Sequence, residues 1–393
     1  MHFLLDLHWM IPGQAGGVEN ISRSLLNELM VRDLPDDFWI WLRRPCLKTI
    51  SWGSNPRFHP LCIDLLWMRI LERLYLYTNA LTRNSYPDWI PDLMQWTKTP
   101  KIDAVLSMPG YIHPQLLAQP NLLFIADIQH EYYPDFFTAE DLEVLRHRTA
   151  VSTHSARHIC TLSQFTKNCL VERLSIAPEH ITTLYPSVDP AFYPESPHRG
   201  RAKNVLTKYN LPLSRYIFFP GHTWPHKNHV LALKVLSLLR KEYHLDLSLV
   251  CTGSPRRAQA DISTLTAHLQ LEKFVRFLGY CPSEDMPALY EGAATLFFPS
   301  LFEGFGIPLL EAMWCGCPVV CSRSGSLPEI AGPAARFVDP LTPESAAHAL
   351  FEVLTSESIR QNLIQAGLQQ VHRFSWNSFT DGILRLLHQI AKE

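Results

Sequence analysis

Short apolar runs alternate with segments of helical period along nearly the whole chain. FLLDL (3–7), FWIWL (38–42), AVLSM (104–108), NLLFIAD (121–127), HICTLS (158–163) and ITTLYP (181–186) read as strands. Each is apolar at consecutive positions, so both faces are buried. That is the mark of parallel strands covered by helices. The pattern then restarts with YIFFPG (216–221), LDLSLVCTG (245–253), VRFLG (275–279), ATLFFPS (294–300), CPVVCS (317–322) and ARFVD (335–339). The interval DPAFYPESPHRGRAKNV between the two sets is rich in proline and charge and has no strand, so it reads as a linker. The expected fold is α/β, with two doubly wound parallel-sheet domains and a boundary within 190–214. We assign 1–195 to the first domain and 196–374 to the second. Residues 375–393 form a closing amphipathic helix that packs back toward the first. Ligands of such sheets bind at the carboxyl ends of the strands.

Composition narrows the class. The 393 residues are 47% hydrophobic and 18% charged, with a formal net charge of −2. A disordered or strongly charged chain is excluded, and no global basic pull toward nucleic acid exists. The opening MHFLLDLHWMIPG lacks a basic lead and is interrupted by Asp6, so it reads as a first strand and not a signal peptide. No uncharged apolar run reaches the ~18 residues of a membrane span. The segment 61–81 has helical period, with Arg69, Glu72 and Arg73 on a polar face. It reads as a helix packed on the first sheet; peripheral contact with a membrane bearing a lipid-linked acceptor is the alternative. The nine cysteines lie in apolar runs such as WCGCPVVCS, without a second ligand set nearby. They read as structural thiols of a cytoplasmic protein, with no metal site and no cofactor.

Two glycine-rich segments carry candidate chemistry. Gly13, Gly16 and Gly17 follow the first strand and precede a helix starting near Val18. A dinucleotide site, a plain strand–helix turn and a loop touching substrate phosphate or sugar are all open here. The spacing departs from G-x-G-x-x-G, and the second strand ends in Arg43 and Arg44 without a ribose-binding acid. The stretch Glu303-Gly304-Phe305-Gly306-Ile307-Pro308-Leu309-Leu310-Glu311 is more informative. Pro308 suits the first position of a helix, where its missing N–H is not needed. Gly304 and Gly306 then stand where main-chain N–H groups converge ahead of the helix, a cradle for a diphosphate. Glu303 lies at its mouth and Glu311 in its first turn, where carboxylates can accept hydrogen bonds from sugar hydroxyls.

Glu303 and Glu311 form an E-x7-E signature, and residues 275–339 around them resemble the donor domain of glycosyltransferase family 4. The similarity extends to FPGHTWPHKNHVLALKVL, CGCPVVCSRSGSLPEIAG and, more loosely, TLSQFTKNCL and LYPSVDPAFY. The resemblance implies a GT-B fold and retaining transfer of a hexose from a nucleoside diphosphate sugar. It implies that Lys227 binds the donor diphosphate, Glu311 the ribose and Glu303 the transferred sugar. Phe305, Gly306 and Ile307 would run over the phosphates. Phe277, in VRFLGY, would lie by the base, with Gly221 and Gly253 at neighbouring strand ends. Gly16 and Gly17 match the first-domain loop over the donor. Many members carry an arginine after the glycine matched by Gly221. Here His222 follows, and His222 or His226 would take its place. Where many members have a His-Asp pair, Ala126 precedes Asp127. Asp127 and His130 are therefore the expected active-site residues of that loop.

The implied chemistry needs no divalent ion, since Lys227 and main-chain amides would neutralise the leaving group. The departing phosphate itself can take the acceptor's proton. GDP-mannose is the first donor expected and UDP-glucose the second. The acceptor is expected to be a surface glycan or a lipid-linked saccharide. The interval 190–214 and the last helix are expected to act as hinge and strap. A sugar-nucleotide-binding protein without turnover and a nicotinamide oxidoreductase are the competing readings.

Overall fold

A computed structural model of the chain describes residues 1–11, 16–62 and 99–393. Two units separate, Met1–Pro186 with Ser375–Glu393, and Ser187–Phe374. In the first, β1 (His2–Leu7), β2 (Asp37–Leu42), β3 (Phe58–Cys62), β4 (Ala104–Ser107), β5 (Asn121–Ile125), β6 (His158–Thr161) and β7 (Ile181–Thr183) form one parallel sheet, in the order β3-β2-β1-β4-β5-β6-β7. Helix α1 (Gly17–Met30) follows β1, and α2 (Gln129–Tyr132) and α3 (Ala139–Ser155) follow β5.

The second unit repeats the plan. Its strands β8 (Tyr216–Pro220), β9 (Ser248–Thr252), β10 (Val275–Phe277), β11 (Thr295–Phe298), β12 (Val319–Ser322) and β13 (Ala335–Val338) lie in the order β10-β9-β8-β11-β12-β13. Helix α4 (His229–Lys241) follows β8 and α5 (Ile307–Trp314) follows β11. The chain then returns to the first unit in α6 (Trp376–Ile390), where the Leu184 side chain packs against Gly382 and Asp381 pairs with Arg32.

Burial on both faces explains why the strands read as unbroken apolar runs. In β8, Ile217 and Phe219 join a core with Leu231, Val235 and Leu239 of α4. On the opposite face Phe218 meets Tyr290 edge-on at 4.8 Å. Each such fully buried side chain contributes roughly 1.5–3 kcal/mol.

Strand β3 was not expected from the sequence. FHPLC contains Pro60, and only Phe58 is buried; His59 and Leu61 are half-buried and Pro60 and Cys62 exposed. Among the described residues β3 is the edge of its sheet, and an edge strand tolerates a proline because one side of its backbone has no ladder to fill. Leu61 and Cys62, the first residues of the expected helix 61–81, close that strand, and the rest of that segment lies outside the described residues.

The interval expected as a linker and hinge is instead fastened to the second unit. Arg199 donates to the carbonyls of Phe192 (2.8 Å) and Trp314 (2.6 Å) and pairs with Glu291 at 2.5 Å. Residues Ala202–Lys208 are helical. Proline and charge mark a turn-rich stretch, and here the charged group is spent on local carbonyls.

Candidate active site

In both sheets the strand order reverses beside the first strand, at β1/β4 and at β8/β11. The loops there leave in opposite directions and open a crevice at the strands' carboxyl ends. In the second unit the ends of β8 and β11 bring together Lys227, Glu303 and the start of α5.

After β8 the chain makes a short turn over Pro225–Lys227. Asn228 follows at φ 62°, a conformation asparagine tolerates, and its side chain caps α4 by accepting from Leu231 N. The same amide donates to the carbonyls of Pro299 (3.2 Å) and Pro340 (2.9 Å), so it pins three strand-end loops together. Leu301 N donates to His226 O at 2.7 Å, a further tie between the loops after β8 and β11. Lys227 is thereby delivered to Glu303, with Nζ 2.7 Å from Oε1 and 4.8 Å above the Phe298 ring.

The backbone of Glu303 is gripped from below. Ser326 N and Oγ donate to Glu303 O at 3.1 and 3.0 Å, and the same hydroxyl reaches Phe305 O at 2.9 Å. This closeness requires Gly325, at φ 62°, because a Cβ there would lie 2.6 Å from Glu303 O. Burial alone would raise the Glu303 pKa. The Lys227 ammonium, by its charge and its hydrogen bond, opposes that effect, and the carboxyl is held below its ordinary value.

Gly306, at φ 99°, is the N-cap of α5 and supplies no side-chain cap to its first N–H groups. A Cβ on Gly306 would meet Leu327 at 2.6 Å. Helix α5 begins at Ile307, so Pro308 is its second residue and Glu311 stands one residue deeper than expected, at the start of the second turn. Glu311 is 8% exposed and accepts from Tyr290 Oη at 2.6 Å. Burial lifts its pKa to about 7, with Asp189 adding to the rise and the Tyr290 hydrogen bond opposing it.

The two histidines expected in place of a cation are both biased toward the neutral form. His222 Nδ1 accepts from Ser254 N at 2.8 Å, which leaves the proton of the neutral ring on Nε2. Burial, Arg256 and Lys227 depress its pKa. His226 is pushed down to about 4, by burial first and Lys227 second. The further basic side chain is Arg256, whose guanidinium lies 5.7 Å from the centre of the Trp224 ring. Its loop is locked to the loop after β8. Arg256 N donates to Thr223 Oγ1 at 2.6 Å, and Gly253 passes so close that a Cβ would lie 2.6 Å from the carbonyl carbon of Gly221. Phe277 is 42% exposed at the end of β10. Sequence reasoning missed Arg256, Asn228, Tyr290 and Ser326. Only Arg256 left a signal, a strand, a glycine and then a basic residue, the same order as at Gly221 and Lys227.

A cationic side chain, a neutral imidazole N–H and an uncapped helix start beside a buried carboxylate are groups that can receive phosphate oxygens and hydroxyls. Residues 208–370 match the family of glycosyl transferases group 1. O-antigen chain mannosyltransferase B of Escherichia coli is 30% identical over 306 residues, which cover 78% of this chain and 80% of that protein. The chain belongs to the group 1 glycosyltransferases. A second relative, the D-inositol 3-phosphate glycosyltransferase of Salinispora arenicola, is 30% identical over 55% of this chain and 51% of its own length, so the match spans about half of that protein. HepE of Anabaena, solved in complex with UDP and glucose, superposes with a TM-score of 0.73 at 16% identity, covering 99% of this chain and 100% of that one. The fold of this glycosyltransferase is therefore GT-B.

The remaining candidates of this glycosyltransferase lie in the first unit. Gly16, at φ 63°, is the N-cap of α1, and Gly17 stands in open space; Gly13 lies outside the described residues. Asp127 accepts from Gln129 N at 2.9 Å and so shapes the turn after β5. His130 is 7% exposed in α2, with Nε2 3.4 Å from Thr149 of α3 and 3.7 Å from Glu131. Burial lowers its pKa, against the pull of Glu131. Eight of the nine cysteines are buried thiols, and burial raises Cys317 to about 12. Among the described residues no helix is long and apolar enough to cross a membrane.

Proposed function

We propose that this glycosyltransferase moves a hexosyl group from a nucleoside diphosphate sugar to an acceptor hydroxyl, with retention of anomeric configuration and without a divalent ion. The observation that carries the reading is the meeting of Lys227, Glu303 and the start of α5 at the β8/β11 crevice. In the reaction the bond from the anomeric carbon to the diphosphate oxygen breaks and a glycosidic bond forms. The acceptor's proton leaves with the nucleoside diphosphate. Lys227, the His222 N–H and the amides ahead of α5 neutralise the charge that grows on the leaving oxygen. Glu303 binds hydroxyls of the transferred sugar and Glu311 those of the ribose.

GDP-mannose is the first donor to test, because a relative of this length and similarity is named a mannosyltransferase, and UDP-glucose is the second. O-antigen-like surface glycan or a lipid-linked saccharide is the acceptor class proposed. The test is calorimetric titration with GDP-mannose and UDP-glucose, followed by turnover with and without EDTA. Saturable binding of one donor and EDTA-resistant release of nucleoside diphosphate support the reading. Absence of binding by both overturns it.

A further inference from the structure

The loops after β8 and β9 are joined into one piece. The parallel ladder of these strands ends at Pro220 and Thr252, and hydrogen bonds continue past it. Gly221 N donates to Thr252 O at 3.1 Å, Ser254 N to His222 Nδ1 at 2.8 Å, and Ala258 N to Thr223 O at 3.0 Å. Thr223 is 2% exposed. Its Oγ1 accepts from Arg256 N at 2.6 Å and lies 3.5 Å from Arg256 O, so one hydroxyl holds both main-chain groups of that residue. The Arg256 guanidinium is thereby laid against the Trp224 ring, 5.7 Å from its centre and within cation–π range.

The order of strands places this arginine relative to the proposed sugar ligand. In the series β10-β9-β8-β11, Lys227 leaves β8, Glu303 leaves β11, and the two touch. Arg256 leaves β9, one strand farther from Glu303, on the side of β10 and Phe277. Neighbouring strands stand about 4.8 Å apart. The Lys227 stem lies over Gly221, with Cδ 3.5 Å from where a Cβ would stand, and Gly253 abuts the same residue. Burial and then the charges of Arg256 and Lys227 depress the His222 pKa, so that ring lies within reach of both cations. A nucleoside diphosphate sugar presents two phosphates in fixed order, one bonded to the sugar and one to the nucleoside. A guanidinium matches two phosphate oxygens at once, and an ammonium acts as a point charge.

The geometry points to a fixed assignment: Lys227 takes the sugar-side phosphate, Arg256 takes the nucleoside-side phosphate, and Thr223 is the positioning residue that holds the Arg256 loop. The inference deepens the proposed transfer reaction and rests on it for the identity of the ligand. The sugar-side phosphate gains charge as the bond to the anomeric carbon breaks, so Lys227 acts on the reacting end. Arg256 grips a part of the donor that does not react.

The experiment is calorimetric titration of the full chain with guanosine, GMP and GDP, and in parallel with uridine, UMP and UDP. The series that binds the parent is then followed in the variants. Arg256→Ala should weaken monophosphate and diphosphate alike, by about tenfold or more, the range of one hydrogen bond to a charged group. Lys227→Met should weaken the diphosphate by as much and spare the monophosphate. Thr223→Val should weaken both phosphates by about threefold or more, and Thr223→Ser, which keeps the hydroxyl, should retain the parent's values. Thr223→Val added to Arg256→Ala should cost nothing further, a non-additivity that general loosening does not produce. An Arg256→Ala loss confined to the diphosphate overturns the assignment while the transfer reading stands. So does a monophosphate that binds the parent no better than the nucleoside. Losses that add in the double variant, or that fall equally on the nucleoside, overturn the role of Thr223. Binding of neither diphosphate overturns the transfer reading and this inference with it. Should Thr223→Val fail to fold, Thr223→Ala takes its place.

Discussion

Lys227 Nζ and Glu303 Oε1 are 2.7 Å apart, and the two residues enter from the ends of the strands on either side of the order reversal in the second sheet. The side chain proposed to bind the diphosphate and the one proposed to bind the sugar are thus joined in one ion pair. Lys227→Ala strands a buried carboxylate and should cost about 3 kcal/mol, whereas Glu303→Gln keeps a hydrogen-bond acceptor and should cost less. The double variant should be more stable than Lys227→Ala alone. Urea unfolding checks this, and strictly additive losses would contradict the pairing. Turnover of each single variant should fall by about 100-fold or more.

The raised pKa of Glu311 makes a prediction with a definite sign. Its folded value is about 7 against an ordinary 4.5. The folded protein binds the proton more tightly, so this group's stabilising contribution is full below about 4.5 and is lost as pH rises through 7. Glu311→Gln should therefore gain stability relative to the parent between pH 5 and 8. Binding of ribose hydroxyls favours the carboxylate, so nucleotide affinity should rise over pH 6–8. Tyr290→Phe removes a bond that favours the charged form and should move that midpoint upward. Calorimetric titrations at pH 6, 7 and 8 test this, and a flat profile in both proteins would count against it. Glu303 has the opposite sign. Its depressed pKa gives stability above the ordinary carboxylate value that is lost as pH falls through the lowered one.

Gly325 is required by space and by dihedral angle together. Gly325→Ala should destabilise by roughly 1–3 kcal/mol and displace the Glu303 loop, with turnover falling alongside. Gly17→Ala, with nothing within 4 Å of its new methyl, should leave the melting temperature within about a degree. Equal melting shifts in the two variants would remove the steric argument.

Arg256 should contact the diphosphate. Arg256→Ala is expected to weaken a nucleoside diphosphate by about tenfold or more and the bare nucleoside hardly at all. His222→Ala should give a smaller loss of the same kind, because it removes a neutral donor. Calorimetry with the paired ligands separates the effects; equal losses for both ligands would mean that the variants merely disturb the loop.

Helix α5 and Glu303 were legible because their signals are local. Glycines and a proline a few residues apart dictate where a helix can start, and Glu303 and Lys227 border such punctuation. Most strands were legible for a related reason, since burial on two faces leaves an unbroken apolar run. Strand β3 was not, because an edge strand with a proline lacks that run. Tyr290, Ser326 and Asn228 were equally hidden. Hydroxyls and amides have no periodicity, and their partners lie on other strand ends.

The sequence by itself determined two parallel α/β units, the family, and the residues whose neighbours in the chain announce them. Tertiary structure decided which side chains carry charge. Burial beside Arg256 and Lys227 biases His222 toward a neutral donor, and burial, against the hydrogen bond from Tyr290, lifts the Glu311 pKa to about 7. Protonation depends on the dielectric and the charges around a group. The order of strands in the sheet, and not the order of residues in the chain, sets both.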